Sequence, residues 1–117
     1  MAKTSTINLN VMIQGDGINT AYAPPGAPIV NTTAPAGGPI TVALAMSDNT
    51  LTVPPGALGM IIVPPSISVV TKAIKGAALD TGLAISPTRV TMIGLPAGAT
   101  SVIISASAPE DITVQWI

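Results

Sequence analysis

The 117-residue sequence contains no cysteine and no histidine. Their absence excludes disulfide bonds, thiolate nucleophiles and the imidazole group that most often acts as a general base or metal ligand. Phenylalanine is also missing, and Tyr22 and Trp116 are the only aromatic residues. These absences argue against an enzyme, and they leave a thin supply of rings for stacking on sugars.

Charged residues are also scarce. Four basic and five acidic residues make up 8% of the chain, whereas a soluble domain averages about 25%. They have to cover an accessible surface of roughly 5,800 Å² for a chain of this mass. Hydrophobic residues make up 48% of the chain, and the mean hydropathy is +0.65. We therefore expect other protein chains to cover much of the surface.

Long hydrophobic runs are missing because 12 prolines and 11 glycines interrupt the chain. No run reaches the roughly 18–20 apolar residues of a membrane-spanning helix. The N-terminal stretch MAKTSTINLN lacks the apolar segment of a secretory signal. The net charge is -1 and no basic cluster is present, which argues against binding to phosphate groups. We expect no membrane partner, no nucleic-acid partner and no cofactor.

The sequence does show the period-2 alternation that is typical of β-strands. TINLNVMIQ, ITVALAM and DITVQWI alternate apolar and polar residues, and shorter β-branched runs lie between them: GMIIV, SISVVTKAI, RVTMIGL and TSVIISAS. These patterns predict one all-β domain over residues 1–117. The expected fold is a β-sandwich or jelly roll of about eight short antiparallel strands, with essentially no helix and with the first and last strands central or adjacent.

Two similar segments place a proline and a glycine before an apolar strand, VPPGALGMIIV at 53–63 and LPAGATSVIIS at 95–105. Proline presets φ near -65° and glycine supplies a positive φ, so each segment predicts a tight turn that leads into a strand. Prolines on both sides of GALGMIIV predict that this strand stops at each end. The similarity indicates either two duplicated Greek-key halves or a chance recurrence in a Pro- and Gly-rich β-protein.

Residues 15–39, GDGINTAYAPPGAPIVNTTAPAGGP, are too rich in glycine and proline for regular structure throughout. They predict a long ordered loop or arm. Such an arm suits docking on a neighbouring chain, because its prolines limit the conformational entropy lost on binding. The candidate interface residues are Tyr22, Pro24, Pro25, Ile29, Val30 and Trp116, although Trp116 fits a place in the core equally well.

No combination of residues predicts a catalytic or metal site. Glu110 and Asp111 are adjacent, so on a strand they point to opposite faces and do not form a catalytic pair. They predict a charged turn before the last strand. The segment KGAALDTG has the wrong residue order for a phosphate-binding loop. It predicts a hairpin loop flanked by Lys75 and Asp80, with Asp80-Thr81-Gly82 as its turn.

Four elements of the C-terminal half occur in a distinctive order: TLTVPPGALGMIIVPPS, a KG…DTG element, LAISPTRVTMIGLP and TVQWI. In this order they resemble small structural proteins of tailed bacteriophages, over residues 51–117. The resemblance implies a non-enzymatic virion protein of the head decoration, or cement, type. It further implies a β-rich module, commonly a homotrimer, that binds the major capsid protein and stabilises the head across capsid subunits.

The resemblance also implies a location on the capsid surface of the virion after synthesis in the cytoplasm of a bacterial host. Two alternatives remain open at this point. One is a tail or head fibre component of the phage virion. The other is a small carbohydrate-binding β-module.

Overall fold

The computed structural model describes residues 3–7, 11–22 and 29–117, and every regular element in these ranges is a β-strand. The strands are β1 Lys3–Ile7, β2 Val11–Gly15, β3 Ile18–Tyr22, β4 Ile29–Ala34, β5 Ile40–Leu44, β6 Ser47–Thr52, β7 Gly59–Val63, β8 Lys72–Lys75, β9 Leu83–Ile85, β10 Thr91–Gly94, β11 Ser101–Ala106 and β12 Glu110–Trp116. All of their pairings are antiparallel. The predicted all-β class is confirmed.

Strands β5 to β12 form two four-stranded sheets. Sheet I has the order β10-β7-β12-β5, and sheet II has the order β6-β11-β8-β9. Every connection between these strands crosses from one sheet to the other, except the β8–β9 hairpin. This is the strand order of a jelly roll, in which two Greek keys build a double sheet. The last strand is central in sheet I, as predicted. The first strand, β1, pairs with β4 in a separate two-stranded sheet, so the prediction that the first strand is central or adjacent to the last was wrong.

The core lies between the two sheets, where alternate side chains of both sheets meet. Strand β12 buries Ile112, Val114 and Trp116, while its intervening residues are half-buried. The rest of the buried core consists of Leu44, Leu51, Val53, Ala57, Met60, Ile62, Val102, Ile104 and Ala106. Each fully buried aliphatic side chain contributes about 1.5–3 kcal/mol relative to exposure. The predicted period-2 pattern of the last strand therefore marks its core face correctly.

The sandwich contains a local internal repeat in which β6 and β7 correspond to β10 and β11. The ladders of β12 with β5 and β7 do not keep the register of the ladders of β8 with β9 and β11. Strand β7 pairs with β10 as β11 pairs with β6, and the registers agree position by position. The pairs Gly59–Gly94, Met60–Ile93 and Ile62–Thr91 correspond to Ser101–Thr52, Val102–Leu51 and Ile104–Asn49. The number of residues that separates each position from its equivalent is the same in all three correspondences. Jelly-roll topology alone would not require this equality.

The two proline-glycine segments adopt the same turn. The carbonyl of Pro54 accepts a bond from Ala57 N at 3.2 Å, and that of Pro96 accepts one from Ala99 N at 3.1 Å. The glycine before each alanine has a φ of 87° or 85°. This geometry confirms the predicted tight turns.

The segments also exchange reciprocal hydrogen bonds. Val53 N donates to the carbonyl of Thr100 at 3.0 Å, and Leu95 N donates to that of Leu58 at 2.8 Å. Val53 corresponds to Leu95 in the repeat, and Leu58 corresponds to Thr100. An approximate local twofold axis therefore relates β6–β7 to β10–β11, and the duplication of two Greek-key halves stays a prediction.

The two turn glycines differ in their surroundings, and this gives a matched test. A Cβ at Gly56 would lie 2.3 Å from the carbonyl oxygen of Thr33, whereas a Cβ at Gly98 meets nothing within 4 Å. Gly98→Ala is expected to lower the free energy of unfolding by about 1–2 kcal/mol, because alanine is strained at a positive φ. Gly56→Ala is expected to lower the free energy of unfolding by about 1–3 kcal/mol more than this, because the added methyl group overpacks against Thr33. Urea unfolding of both variants checks this, and equal losses would contradict it.

In the N-terminal region the pattern TINLNVMIQ predicts one continuous strand, and the described parts of this segment pair with two different strands, β1 with β4 and β2 with β3. Residues 8–10, between β1 and β2, lie outside the described residues. Alternation reports which side chains share a face and not which strand is the pairing partner. The turn at Asp16 and Gly17, both at positive φ, folds β2 back onto β3.

The described ranges hold twelve strands where about eight were predicted, because two two-stranded ribbons, β1-β4 and β2-β3, accompany the eight strands of the sandwich. Strands β3 and β4 lie within residues 15–39, so the predicted arm holds more regular structure than its composition indicates. Backbone pairing with β1 and β2 outweighs the low strand propensity there. The strand predicted between the prolines is also shorter, since it begins at Gly59 after the turn.

Candidate interaction surface

Four of the connections in the sandwich lie at one end, which we call the four-loop end. In the strand pairings, Glu110 at the start of β12 lies opposite Leu44, and Lys72 at the start of β8 lies opposite both Ala106 and Ile85. Ala106 also lies opposite Ser47. The loops that meet there are 45–46, 64–71, 86–90 and 107–109. The turns at 53–58, 76–82 and 95–100 lie at the opposite end.

The four-loop end carries several exposed apolar side chains. Ile67 and Val69 are 90% and 94% exposed. Between and after them, Ser68 and Val70 turn inward and are half-buried. Met46 and Val90, on two of the other loops, are also exposed. Loop 64–71 therefore presents a ridge of two aliphatic side chains to solvent.

The inner side of loop 64–71 is hydrogen-bonded to the sandwich. The Ser68 hydroxyl donates to Glu110 Oε2, and it accepts a bond from Val70 N at 3.1 Å. Thr71 N donates to Ser107 Oγ at 3.0 Å, and Ser107 N donates to the Thr71 carbonyl at 3.0 Å. The apolar ridge is therefore carried by an anchored loop.

A buried ion pair lies beneath the ridge. Lys72 Nζ contacts Glu110 Oε1 and donates to the carbonyls of Val70 at 3.2 Å and Pro87 at 3.3 Å. The Lys72 side chain is 0% exposed and that of Glu110 is 13% exposed. Two carbonyl acceptors and one carboxylate counter-charge therefore surround the ammonium, and they offset the cost of its desolvation. Because Lys72 begins β8 and Glu110 begins β12, the pair also ties sheet II to sheet I.

The surroundings of Glu110 hold its pKa below its ordinary value. The hydrogen bond from the Lys72 ammonium has the largest effect, and the hydrogen bond from the Ser68 hydroxyl adds to it. Desolvation by burial acts in the opposite direction and is outweighed, while the charge of Lys72 lowers the pKa further. Glu110 is therefore ionised at neutral pH and is a structural anion rather than a proton donor.

The segment that resembles a phosphate loop is a hairpin, as predicted. Strands β8 and β9 pair with Ile74 opposite Leu83. In the turn between them, Asp80 Oδ2 accepts a bond from Ala77 N at 3.0 Å, and Gly82 has a φ of 81°. Lys75 forms an ion pair with Asp48 at 2.9 Å rather than facing an open loop.

The acidic residues do not assemble into a reactive centre in the part of the chain that the structure describes. No group of three or more His, Cys, Asp or Glu that could hold a metal occurs there. Glu110 points to Lys72 while Asp111 is exposed, so the two carboxylates lie on opposite faces as predicted. Both belong to β12, so the predicted charged turn before the last strand was wrong. No helix long and apolar enough to cross a membrane occurs in the described ranges.

Of the predicted interface residues, Trp116 lies in the core. It is 9% exposed and is a member of the buried cluster between the sheets. On strand β12 it is paired with Met60 of β7. Of the two positions predicted for Trp116, at an interface or in the core, the structure shows the core.

The remaining interface candidates lie in or near the two ribbons. Tyr22 ends β3 opposite Val11, and Ile29 begins β4 opposite Ile7. Val30 is exposed on β4. Pro24 and Pro25 lie outside the described residues. The interface role of these residues stays a prediction.

Ser68, Lys72 and the exposed pair Ile67 and Val69 were not among the predicted site residues. No family model matches the chain, and neither a curated protein nor a solved structure matches it.

Proposed function

We propose that the chain is a non-enzymatic structural protein of a tailed-bacteriophage virion, a head decoration protein that binds across capsid subunits. The resemblance of residues 51–117 supports the virion assignment. The jelly roll agrees with it as an analogy, because viral capsid domains use this architecture, although lectins and cupins use it too. The scarcity of charge supports burial of much of the surface in an assembly.

The anchored apolar ridge at Ile67 and Val69 is the observation that carries the proposal. Each aliphatic side chain removed from water contributes about 1.5–3 kcal/mol to binding before association costs. Anchoring of the loop through Ser68 and Thr71 lowers those costs, because little backbone freedom remains to be lost. A decoration protein stabilises a capsid by contact of this kind and requires no reacting group.

The proposed partners are other copies of the chain, with a trimer as the arrangement that the resemblance implies, and the major capsid protein. The proposed place is the outer surface of the head. Binding of each copy to more than one capsid subunit would let several modest contacts add up to a high overall affinity.

Aspartate at both ridge positions tests the proposal. The double variant Ile67→Asp/Val69→Asp should reduce capsid occupancy at least about tenfold, because it would bury two carboxylates without partners. Capsids mixed with it should release DNA at a lower temperature than capsids bearing the wild-type protein. Leu79→Asp is the control, since Leu79 is fully exposed at the opposite end of the sandwich.

Normal occupancy with the double variant would contradict the proposed contact. Immunolabelling of virions distinguishes the location. Label on the head supports a decoration protein, whereas label found only on the tail would replace this proposal with a tail or fibre component.

A further inference from the structure

The internal repeat allows the outer faces of the two sheets to be compared position by position. On sheet I, Met92 of edge strand β10 lies opposite Ile61 of β7. The equivalent pair on sheet II is Thr50 opposite Ile103. The four equivalences on these faces are Ile61 with Ile103, Val63 with Ser105, Val90 with Asp48, and Met92 with Thr50. Sheet I thus carries aliphatic side chains and methionine at three positions where sheet II carries serine, aspartate and threonine.

The rest of the outer face of sheet I is also nearly free of charge. Strands β5 and β12 contribute Thr41, Ala43, Thr113 and Gln115, and Asp111 is the single charged residue that they add. Sheet II, in contrast, carries the Lys75–Asp48 ion pair on its outer face. Both faces belong to the same fold, so the fold itself does not dictate this difference. A covered face on sheet I and a solvated face on sheet II would account for it.

Two charged side chains flank the face of sheet I at the four-loop end. Arg89 lies just before β10, and Asp111 lies on β12, and both are exposed. The ion pairs found among the described residues join Lys72 to Glu110 and Lys75 to Asp48, and they use neither of these two residues. The face therefore has one cation beside its β10 edge and one anion towards its β5 edge.

We propose that the outer face of sheet I is the contact surface between two copies of this chain, related by a twofold axis parallel to the strands. Such an axis keeps the two four-loop ends together and reverses the strand order. Strand β10 of one copy then lies opposite β5 of the other, and β7 lies opposite β12. Arg89 of each copy then lies at the same end as Asp111 of the partner copy and one strand across from it, so this pair of opposite charges occurs twice in one interface.

The proposed contact has the geometry of aligned sheet packing, in which two faces lie about 10 Å apart with their strands within about 30° of each other. It is an alternative to the trimer that the resemblance implies for self-assembly. It does not depend on the virion role, because it concerns the purified chain alone.

Molar mass measured by sedimentation velocity tests the face. Wild-type protein is expected to form an even-numbered assembly between about 10 and 300 µM, a range chosen to span weak dimers. Met92→Asp should raise the dissociation constant at least about a hundredfold, because the twofold axis introduces the carboxylate twice. Thr50→Asp, at the equivalent position of sheet II, should assemble like the wild type. Far-UV circular dichroism verifies that both variants are folded.

A charge exchange tests the orientation of the axis. Arg89→Glu and Asp111→Lys should each raise the dissociation constant about tenfold or more, since each places like charges together. The double variant should return to within about threefold of the wild type. An additive loss in the double variant would overturn the assigned axis.

Three results would overturn the contact itself. These are a monomeric wild-type chain across the concentration range, equal loss of assembly in Met92→Asp and Thr50→Asp, and a mass of three chains. A ring of three cannot be closed through this twofold contact, so the last result would favour the trimer that the resemblance implies. A head-bound protein that fails these tests would still leave the virion role standing.

Discussion

Glu110→Gln is expected to lower the free energy of unfolding by about 3–5 kcal/mol, because it leaves the Lys72 ammonium buried without its counter-charge. The glutamine has one acceptor oxygen instead of two and carries no charge. The carbonyls of Val70 and Pro87 remain as acceptors, yet two neutral dipoles do not replace a carboxylate. Chemical denaturation followed by far-UV circular dichroism measures the loss.

The double variant Lys72→Met/Glu110→Leu separates the cost of an unpaired charge from the value of the pair. It should recover most of the lost stability, since apolar residues of similar size often replace buried ion pairs at little cost. Asp48→Asn is the matched control, because it breaks the more exposed Lys75 pair and should cost at most about 1 kcal/mol. If Glu110→Gln lost no more stability than Asp48→Asn, the ion pair of Lys72 and Glu110 would be solvent-exposed in solution, which would contradict the prediction.

The same pair predicts how stability depends on pH. The pKa of Glu110 is lower in the folded chain than in the unfolded chain, where it is about 4.3. Above the unfolded value this contribution to stability is fully present, and it is lost as the pH falls through the folded value. Unfolding free energies measured from pH 7 to pH 2 should therefore fall more steeply for the wild type than for Glu110→Gln. Parallel curves would contradict the lowered pKa.

The sequence predicts the sandwich well where alternation is reinforced by turn chemistry. Strand β12 follows a clear period-2 pattern, and β7 and β11 are short β-branched runs that follow the Pro-x-Gly turns. Both signals are local, since one reports which side chains share a face and the other fixes φ at a turn. The jelly-roll order and the repeat depend on pairing between distant segments, and no local pattern contains that information.

Strand β6 was missed for a physical reason. Its sequence, SDNTLT, has a single large apolar residue, Leu51, and no β-branched run. It is an edge strand, so one ladder with β11 holds it in place. Asn49 adds support, because its side-chain amide donates to the carbonyls of Ala45 and Ile104. Edge strands held by side-chain hydrogen bonds leave little trace in hydrophobic periodicity.

The buried lysine did leave a signal in the sequence. Val70, Lys72 and Ile74 occupy one parity of a β-branched run, so Lys72 falls on the face that its neighbours bury. A charge at such a position requires a partner, but the sequence does not say which acidic residue supplies it. Glu110 is far away along the chain and reaches Lys72 only because β12 crosses to the other sheet. The partner therefore follows from the topology and not from the local pattern.

Trp116→Ala is expected to lower the free energy of unfolding by about 3–5 kcal/mol, as is typical of large-to-small changes in a core. Trp116 is the single tryptophan of the chain, so its fluorescence reports directly on its surroundings. In the folded wild type its emission should be blue-shifted relative to the urea-unfolded chain. Both measurements use dilute protein, where assembly contributes least.

Val30→Ala is the control, because Val30 is a predicted interface residue that lies exposed on a ribbon. This substitution should change the free energy of unfolding by no more than about 0.5 kcal/mol. If Trp116 acted at an interface instead of in the core, Trp116→Ala would unfold like the wild type at low concentration and lose only its self-association. Its wild-type emission would also shift with protein concentration. The described packing of Trp116 between the sheets predicts neither result, because its indole is already buried within one chain.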